Sequence, residues 1–179
     1  QLSRVLGVAE RKKMNGKVSF EKQLPIFKSG TPPNIDVFIE FEEAGLKYIA
    51  IECKFTEAYT KSNNKAPFSE TYFTSPKVQQ EDIWDGLLET KGLAKNLSAG
   101  FEKFDYLDTP QLIKHLLGLN KNFGRDKEKF ILYYLWYDAL GEKGAKHRQE
   151  IEKFSSIIKK DHINFLSLTF QEFIVRMAV

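Results

Sequence analysis

The stretch Ile49-Ala50-Ile51-Glu52-Cys53-Lys54-Phe55 decides how the chain reads, because it places a Glu and a Lys on an otherwise apolar strand. Along a strand every second side chain points the same way, so Glu52 and Lys54 share a face while Cys53 and Phe55 are expected to turn into the core. A second apolar strand lies upstream, Asn34-Ile35-Asp36-Val37-Phe38-Ile39, and carries Asp36. Residues 40–47, with Glu42, Glu43, Ala44 and Gly45, read as the turn that joins the two. Such a hairpin brings two carboxylates and an ammonium toward one spot. Taking these groups out of water costs several kcal/mol each unless they are paired or bind a metal, so strands that carry them call for a partner.

Asp36, followed sixteen positions later by Glu52-x-Lys54 at the end of an Ile/Ala/Ile strand, resembles the PD-(D/E)xK signature of the restriction-endonuclease-like nucleases. Pro33 stands three residues before Asp36 rather than directly beside it, so the leading Pro of the signature is approximated. The resemblance implies that Asp36 and Glu52 bind a divalent metal, Mg²⁺ or Mn²⁺, with the backbone carbonyl of Cys53 as a third ligand. Lys54 would then assist the attacking water. The activity implied is metal-dependent hydrolysis of DNA phosphodiester bonds, with DNA as the partner, in restriction, defence or repair of a bacterium or its mobile elements. Many such families carry a polar residue, often Gln, on the helix after the motif. Gln111 and His115 are the matching candidates, four apart and therefore on one helical face. His115 would contact the scissile phosphate or a water; the other reading is a histidine hydrogen-bonded within the fold. Some families also place a Glu on the first helix or first strand. Glu10 and Glu21 are available, and Glu21, on a strand leading toward the site, is the further metal-ligand candidate. A solvated surface role is the alternative for both.

Composition is consistent with one soluble domain. The chain has 179 residues, 42% hydrophobic and 28% charged, which is enough for a single core and ordinary for a globular protein. No apolar run approaches the roughly 20 residues that span a bilayer, and no secretory signal pattern opens the chain, so a cytoplasmic location without membrane contact is expected. The single cysteine, Cys53, excludes an internal disulfide and any cysteine-based zinc site, so a metal would need the oxygen ligands that suit Mg²⁺ or Mn²⁺. A net charge of +3 permits nucleic-acid binding without demonstrating it. The chain opens at Gln1 rather than at a methionine, which fits a piece of a longer protein.

The periodicity predicts a mixed central β-sheet flanked by helices, in the order α-β-β-β-α-β-α-β of a restriction-endonuclease-like core. An amphipathic helix is expected over 2–13, then strands over 17–27, 35–42 and 47–55. Residues 56–108 read as an insertion into the single domain 1–179, holding one or two helices; within it, 78–97 carry Ile83, Trp84, Leu87, Leu88 and Leu93 at helical spacing. Thr109 as N-cap and Pro110 as first helical residue start a helix to about Leu119. The apolar run 130–137 predicts a strand covered on both faces, followed by a helix over 145–160, a strand over 162–168 and a last helix from Phe170.

Rival readings stay open at this level. Glu52, Lys54 and Asp36 could form a purely structural ion-pair cluster, and a nuclease fold could bind DNA or a protein without cutting. The basic pairs His147-Arg148 and Lys159-Lys160 and the lysines at 12, 13, 17 and 22 could touch phosphates, though charged helical faces are usually just solvated. Aromatic residues over 59–73 could stack on bases or anchor the insertion. Sequence-specific cleavage would require recognition loops and usually a homodimer, and the sequence specifies neither. No phosphate-binding glycine loop or Ser-His-Asp pattern is present.

Overall fold

The computed structural model describes residue 5 and residues 16–41, 46–55, 59, 67–74, 82–124, 126–139 and 141–178. Five strands form one sheet in the spatial order of the chain: β1 (Gly16–Gln23), β2 (Asn34–Phe41), β3 (Tyr48–Lys54), β4 (Phe130–Trp136) and β5 (Phe165–Thr169). The first three are antiparallel, whereas β4 runs parallel to β3 and β5 parallel to β4. The helices are α1 (Leu88–Ala99), α2 (Thr109–Phe123), α3 (Glu142–Ile158) and α4 (Phe170–Ala178). This is the mixed α/β sheet expected of a restriction-endonuclease-like core. The predicted helix over 2–13 lies outside the described residues except for Val5, which is helical and buried.

Alternation divides the core between the two faces of the sheet. Phe38, Ala50, Leu132 and Tyr134 face α1, α2 and α3, whose Leu93, Ala94, Leu112, Ile113, Leu116, Ile151 and Phe154 complete the larger cluster. Ile39, Ile49, Ile51, Ile131, Tyr133 and Leu135 form the smaller cluster on the other face, with Phe170 and Phe173 of α4 packed against it. All seven residues of β4 are buried, which accounts for its unbroken apolar run. Each large aliphatic side chain so buried contributes about 1.5–3 kcal/mol. Among the described residues no helix is long and apolar enough to cross a membrane.

Several boundaries differ from the sequence expectation, each for a local reason. The first strand stops at Gln23 rather than at residue 27, because Pro25 cannot donate to a ladder and the chain folds back with the Leu24 N–H donating to the Pro33 carbonyl at 3.2 Å. Helix α2 is capped by Asp108, not Thr109: its Oδ1 accepts from the Gln111 N–H at 3.1 Å. Helix α3 starts at Glu142, three residues early, and a turn of 3₁₀ helix over Lys159–Asp161 with left-handed His162 (φ 59°) delays β5 to Phe165. Of the predicted stretch 78–97, residues 78–81 lie outside the described residues, 83–86 form a turn, and the helix begins at Leu88.

Candidate active site

The antiparallel register that pairs Val37 with Ile51 brings the next residues outward, Asp36 and Glu52, to facing positions near the start of β2 and the end of β3. Both belong to the face that the helices cover, as alternation from Phe38 and Ala50 requires. The Asp36 carboxylate accepts a hydrogen bond from the Cys53 backbone N–H at 2.7 Å, which ties the two strands together where the ladder ends. Glu52 is 1% exposed and is held at both oxygens. Oε1 lies 2.7 Å from the Lys54 ammonium, and Oε2 accepts from His115 Nε2–H at 2.8 Å. An ionised carboxylate can only accept, so this contact requires that His115 Nε2 carry a proton.

The charges here are strongly coupled. Burial alone would raise the Glu52 carboxyl, but the His115 hydrogen bond and charge, followed by Lys54, outweigh it and hold the group below the ordinary carboxylate range. Burial likewise works against the Lys54 ammonium, and the charge and hydrogen bond of Glu52, reinforced by Asp108 and Asp36, override it and raise the group above the ordinary lysine value. Asp36 is displaced in the opposite direction to Glu52: desolvation, opposed by the Cys53 N–H, combines with the neighbouring charges of Glu52 and Glu21 to raise it. Two facing carboxylates, one comfortable and one strained in its ionised form, are a set that an added cation would relieve.

That set fits Mg²⁺ or Mn²⁺ better than a structural metal. Mg²⁺ is commonly held by one or two carboxylates with water and substrate oxygens completing the shell, whereas a zinc site needs three or four protein ligands. Among the described residues no group of three or more His, Cys, Asp or Glu side chains gathers to hold an ion, so two carboxylates are what the side chains supply.

Glu21, the further candidate, sits in left-handed backbone (φ 51°) inside β1, between the pairs Phe20–Val37 and Lys22–Ile35. A non-glycine residue in that region is strained by about 1–3 kcal/mol. Its Oε2 accepts from Asn34 Nδ2 at 2.8 Å, and its charge reaches Asp36. Glu10 lies outside the described residues.

The structure brings His115 to Glu52 and leaves it only 1% exposed, hydrogen-bonded within the fold. Gln111, one turn nearer the start of α2, is part-exposed on the same side of the helix. The expectation for Phe55 is corrected, and one residue of the basic pairs is out of reach of DNA. His147 is wholly buried, bonded to the Tyr134 hydroxyl at 3.0 Å and packed on Trp136, so it is not available to DNA; its neighbour Arg148 is paired with Asp138. Phe55 does not enter the core: strand pairing ends at Lys54, and the ring stands 53% exposed, stacked on Phe170 at 4.0 Å.

Sequence reasoning missed Asp108, whose charge acts on Lys54, and Glu150 of α3. The buried Glu150 carboxylate accepts from the N–H groups of Asp105, Tyr106 and Leu107 at 2.8, 2.9 and 2.9 Å, which fixes the loop that delivers Asp108. The signal for Asp108 was present, since Asp is a strong N-cap just ahead of Thr-Pro. Glu150 left none, because its partners are backbone groups more than forty residues away.

Residues 8–177 match the model of a family described as restriction endonuclease associating with ARP. Comparison with curated proteins and with solved structures gives no match.

Proposed function

Because the chain belongs to that restriction-endonuclease family, we propose that it is a metal-dependent deoxyribonuclease of the PD-(D/E)xK type, acting on DNA in restriction, defence or repair. The observation that carries this reading is the placement of Asp36 and Glu52 at facing positions of adjacent strands, with the Lys54 ammonium 2.7 Å from Glu52. Asp36 and Glu52 would hold Mg²⁺ or Mn²⁺, with the Cys53 carbonyl proposed as a third ligand. When bound, such an ion lowers the pKa of a water toward neutrality and offsets charge on the phosphoryl oxygens.

The remaining work falls to the chain itself. The environment of Lys54 keeps it protonated at neutral pH, so its part is to orient the attacking water and stabilise negative charge on the phosphate rather than to accept a proton. His115 holds Glu52 in its ionised form and orientation. Gln111, part-exposed on the same helix, would hydrogen-bond a water or a phosphate oxygen, and Glu21, bonded to Asn34, would act on the site through its charge on Asp36 rather than as a direct ligand.

One observation favours a second reading, a nuclease-fold module that binds without cutting: both Glu52 oxygens are engaged within the protein, as in a structural ion pair. The two readings part in a cleavage assay on supercoiled plasmid and linear duplex DNA with Mg²⁺ or Mn²⁺. The nuclease should nick or cut, and Asp36→Asn and Glu52→Gln should each reduce the rate by on the order of 100-fold or more. DNA binding without cleavage by any form would favour the binding module.

A further inference from the structure

Glu52 cannot accept a metal in the arrangement just described without giving something up, and its two partners are not equally able to yield. His115 is 1% exposed on α2, whose Leu112, Ile113, Leu116 and Leu117 are buried with it, so moving its imidazole off Glu52 would require repacking the core. Lys54 is the last residue of β3, with its side chain 17% exposed, on a flexible stem beside the point where the chain leaves the sheet. Its ammonium lies on Oε1, the oxygen His115 does not use. Asp36 faces Glu52 across the strand pair, so a cation shared between them competes for the same carboxylate that Lys54 neutralises.

We propose that Lys54 is a built-in counter-ion for Glu52, and that a divalent metal binds by taking Oε1 from it while His115 retains Oε2. This inference rests on the nuclease reading. The exchange keeps a cation on the buried carboxylate throughout, with the extra positive charge of the ion met by Asp36: Glu52 is never left unpaired, which would be strongly unfavourable at 1% exposure. It also gives the lysine two positions. One is against Glu52 before loading; the other is free of Glu52, where an ammonium can meet the water and phosphate. Metal loading thereby becomes the event that releases the catalytic cation. Asp108 and Asp36, whose charges also bear on Lys54, provide the nearby negative field that keeps the released ammonium at the site.

The test is metal binding in the absence of DNA. Mn²⁺ titrations by calorimetry would compare the wild-type protein with Lys54→Met and Lys54→Arg, with Asp36→Asn marking the site. Exchange predicts that Lys54→Met binds Mn²⁺ about tenfold or more tightly, since the competitor is gone, and that Lys54→Arg, which keeps the charge and can grip a carboxylate with two N–H groups, binds more weakly than wild type. Simple charge repulsion would also tighten Lys54→Met, so a second readout is needed. Acylation of lysines, followed residue by residue by mass spectrometry, should show Lys54 labelling several-fold faster with saturating Mg²⁺ than without it. Asp36-dependent Mn²⁺ binding that is no tighter in Lys54→Met, or Lys54 labelling unchanged by Mg²⁺, would overturn the exchange and leave the nuclease reading standing. Absence of Mn²⁺ binding in both wild type and Lys54→Met would overturn the metal site and the exchange together.

Discussion

Asp36 carries its charge in surroundings that resist it. Desolvation raises the carboxyl, the Cys53 N–H opposes, and the charges of Glu52 and Glu21 raise it further. A carboxyl raised in the folded state favours folding only while protonated; that contribution is complete below the ordinary 3.8 and is lost as pH rises through the folded value, so ionised Asp36 works against the fold at neutral pH. Asp36→Asn keeps an oxygen for the Cys53 N–H and removes the charge. It should therefore melt at a higher temperature than wild type at pH 7, with the gain shrinking toward pH 3.8, while metal-dependent cleavage disappears; thermal denaturation across pH checks the pairing of gain and loss. His147 runs the other way. Burial, with the Arg148 charge, depresses it from the ordinary 6.5 to about 4. The unfolded chain takes up the proton first, so the stability owed to neutral His147 is complete above 6.5 and drains as pH falls to about 4, about 3 kcal/mol over the window. Urea unfolding should show a slope in that window that His147→Gln flattens. An equal slope in both proteins would move the acid sensitivity to other groups.

The elements that carry these residues are held at close quarters, and two glycines show how close. A Cβ on Gly118 of α2 would stand 2.9 Å from Leu24 Cβ and 3.0 Å from the Leu24 carbonyl oxygen. Gly118→Ala should push α2 off the chain that links β1 to β2, costing about 1–3 kcal/mol. Because His115 lies one turn earlier on α2, the same change should loosen its bond to Glu52 and reduce cleavage in protein that remains folded, read as a lower kcat at temperatures well below the melting point. A Cβ on Gly144 in the first turn of α3 would lie 1.8 Å from the Ala139 carbonyl oxygen, a backbone atom that cannot step aside. Gly144→Ala should be the more damaging change, measured as a larger fall in the urea midpoint. Neither constraint was legible in the sequence, where Gly144 reads only as part of a loop. What was legible is local: the alternation that put Glu52 and Lys54 on one face, the seven-residue apolar run of β4, and the leucine stripe of α2. Those depend on neighbours in the chain. The His115–Glu52 bond joins positions 63 apart, and no periodicity in either segment specifies how α2 lies across β3.

At the scale of the whole molecule, the site lies where the sheet changes character. Strand β3 has antiparallel β2 on one side and parallel β4 on the other, so the start of β2 and the ends of β3 and β4 share one edge of the sheet. Open α/β sheets commonly bind ligands beyond the carboxyl ends of their parallel strands, and Asp36, Glu52 and Lys54 stand at that edge. Helices α1 and α2 lie within the connection from β3 to β4, which is why a residue of α2 can complete a site that begins on β3. Such an arrangement couples the site to global stability, because unfolding separates Asp36, Glu52 and His115 and would abolish the proposed metal site. An ion that binds only the folded chain stabilises it by RT ln(1 + [L]/Kd), so with a dissociation constant of about 1 mM, about 10 mM Mg²⁺ should add roughly 1.4 kcal/mol and raise the melting temperature by about 4 °C in a protein of this size. Asp36→Asn should show no such rise, and a chelator should return wild type to its starting value. If Mg²⁺ shifted wild type and Asp36→Asn equally, the ion would be acting elsewhere on the molecule, and the two facing carboxylates would have to be read as a structural ion-pair cluster instead.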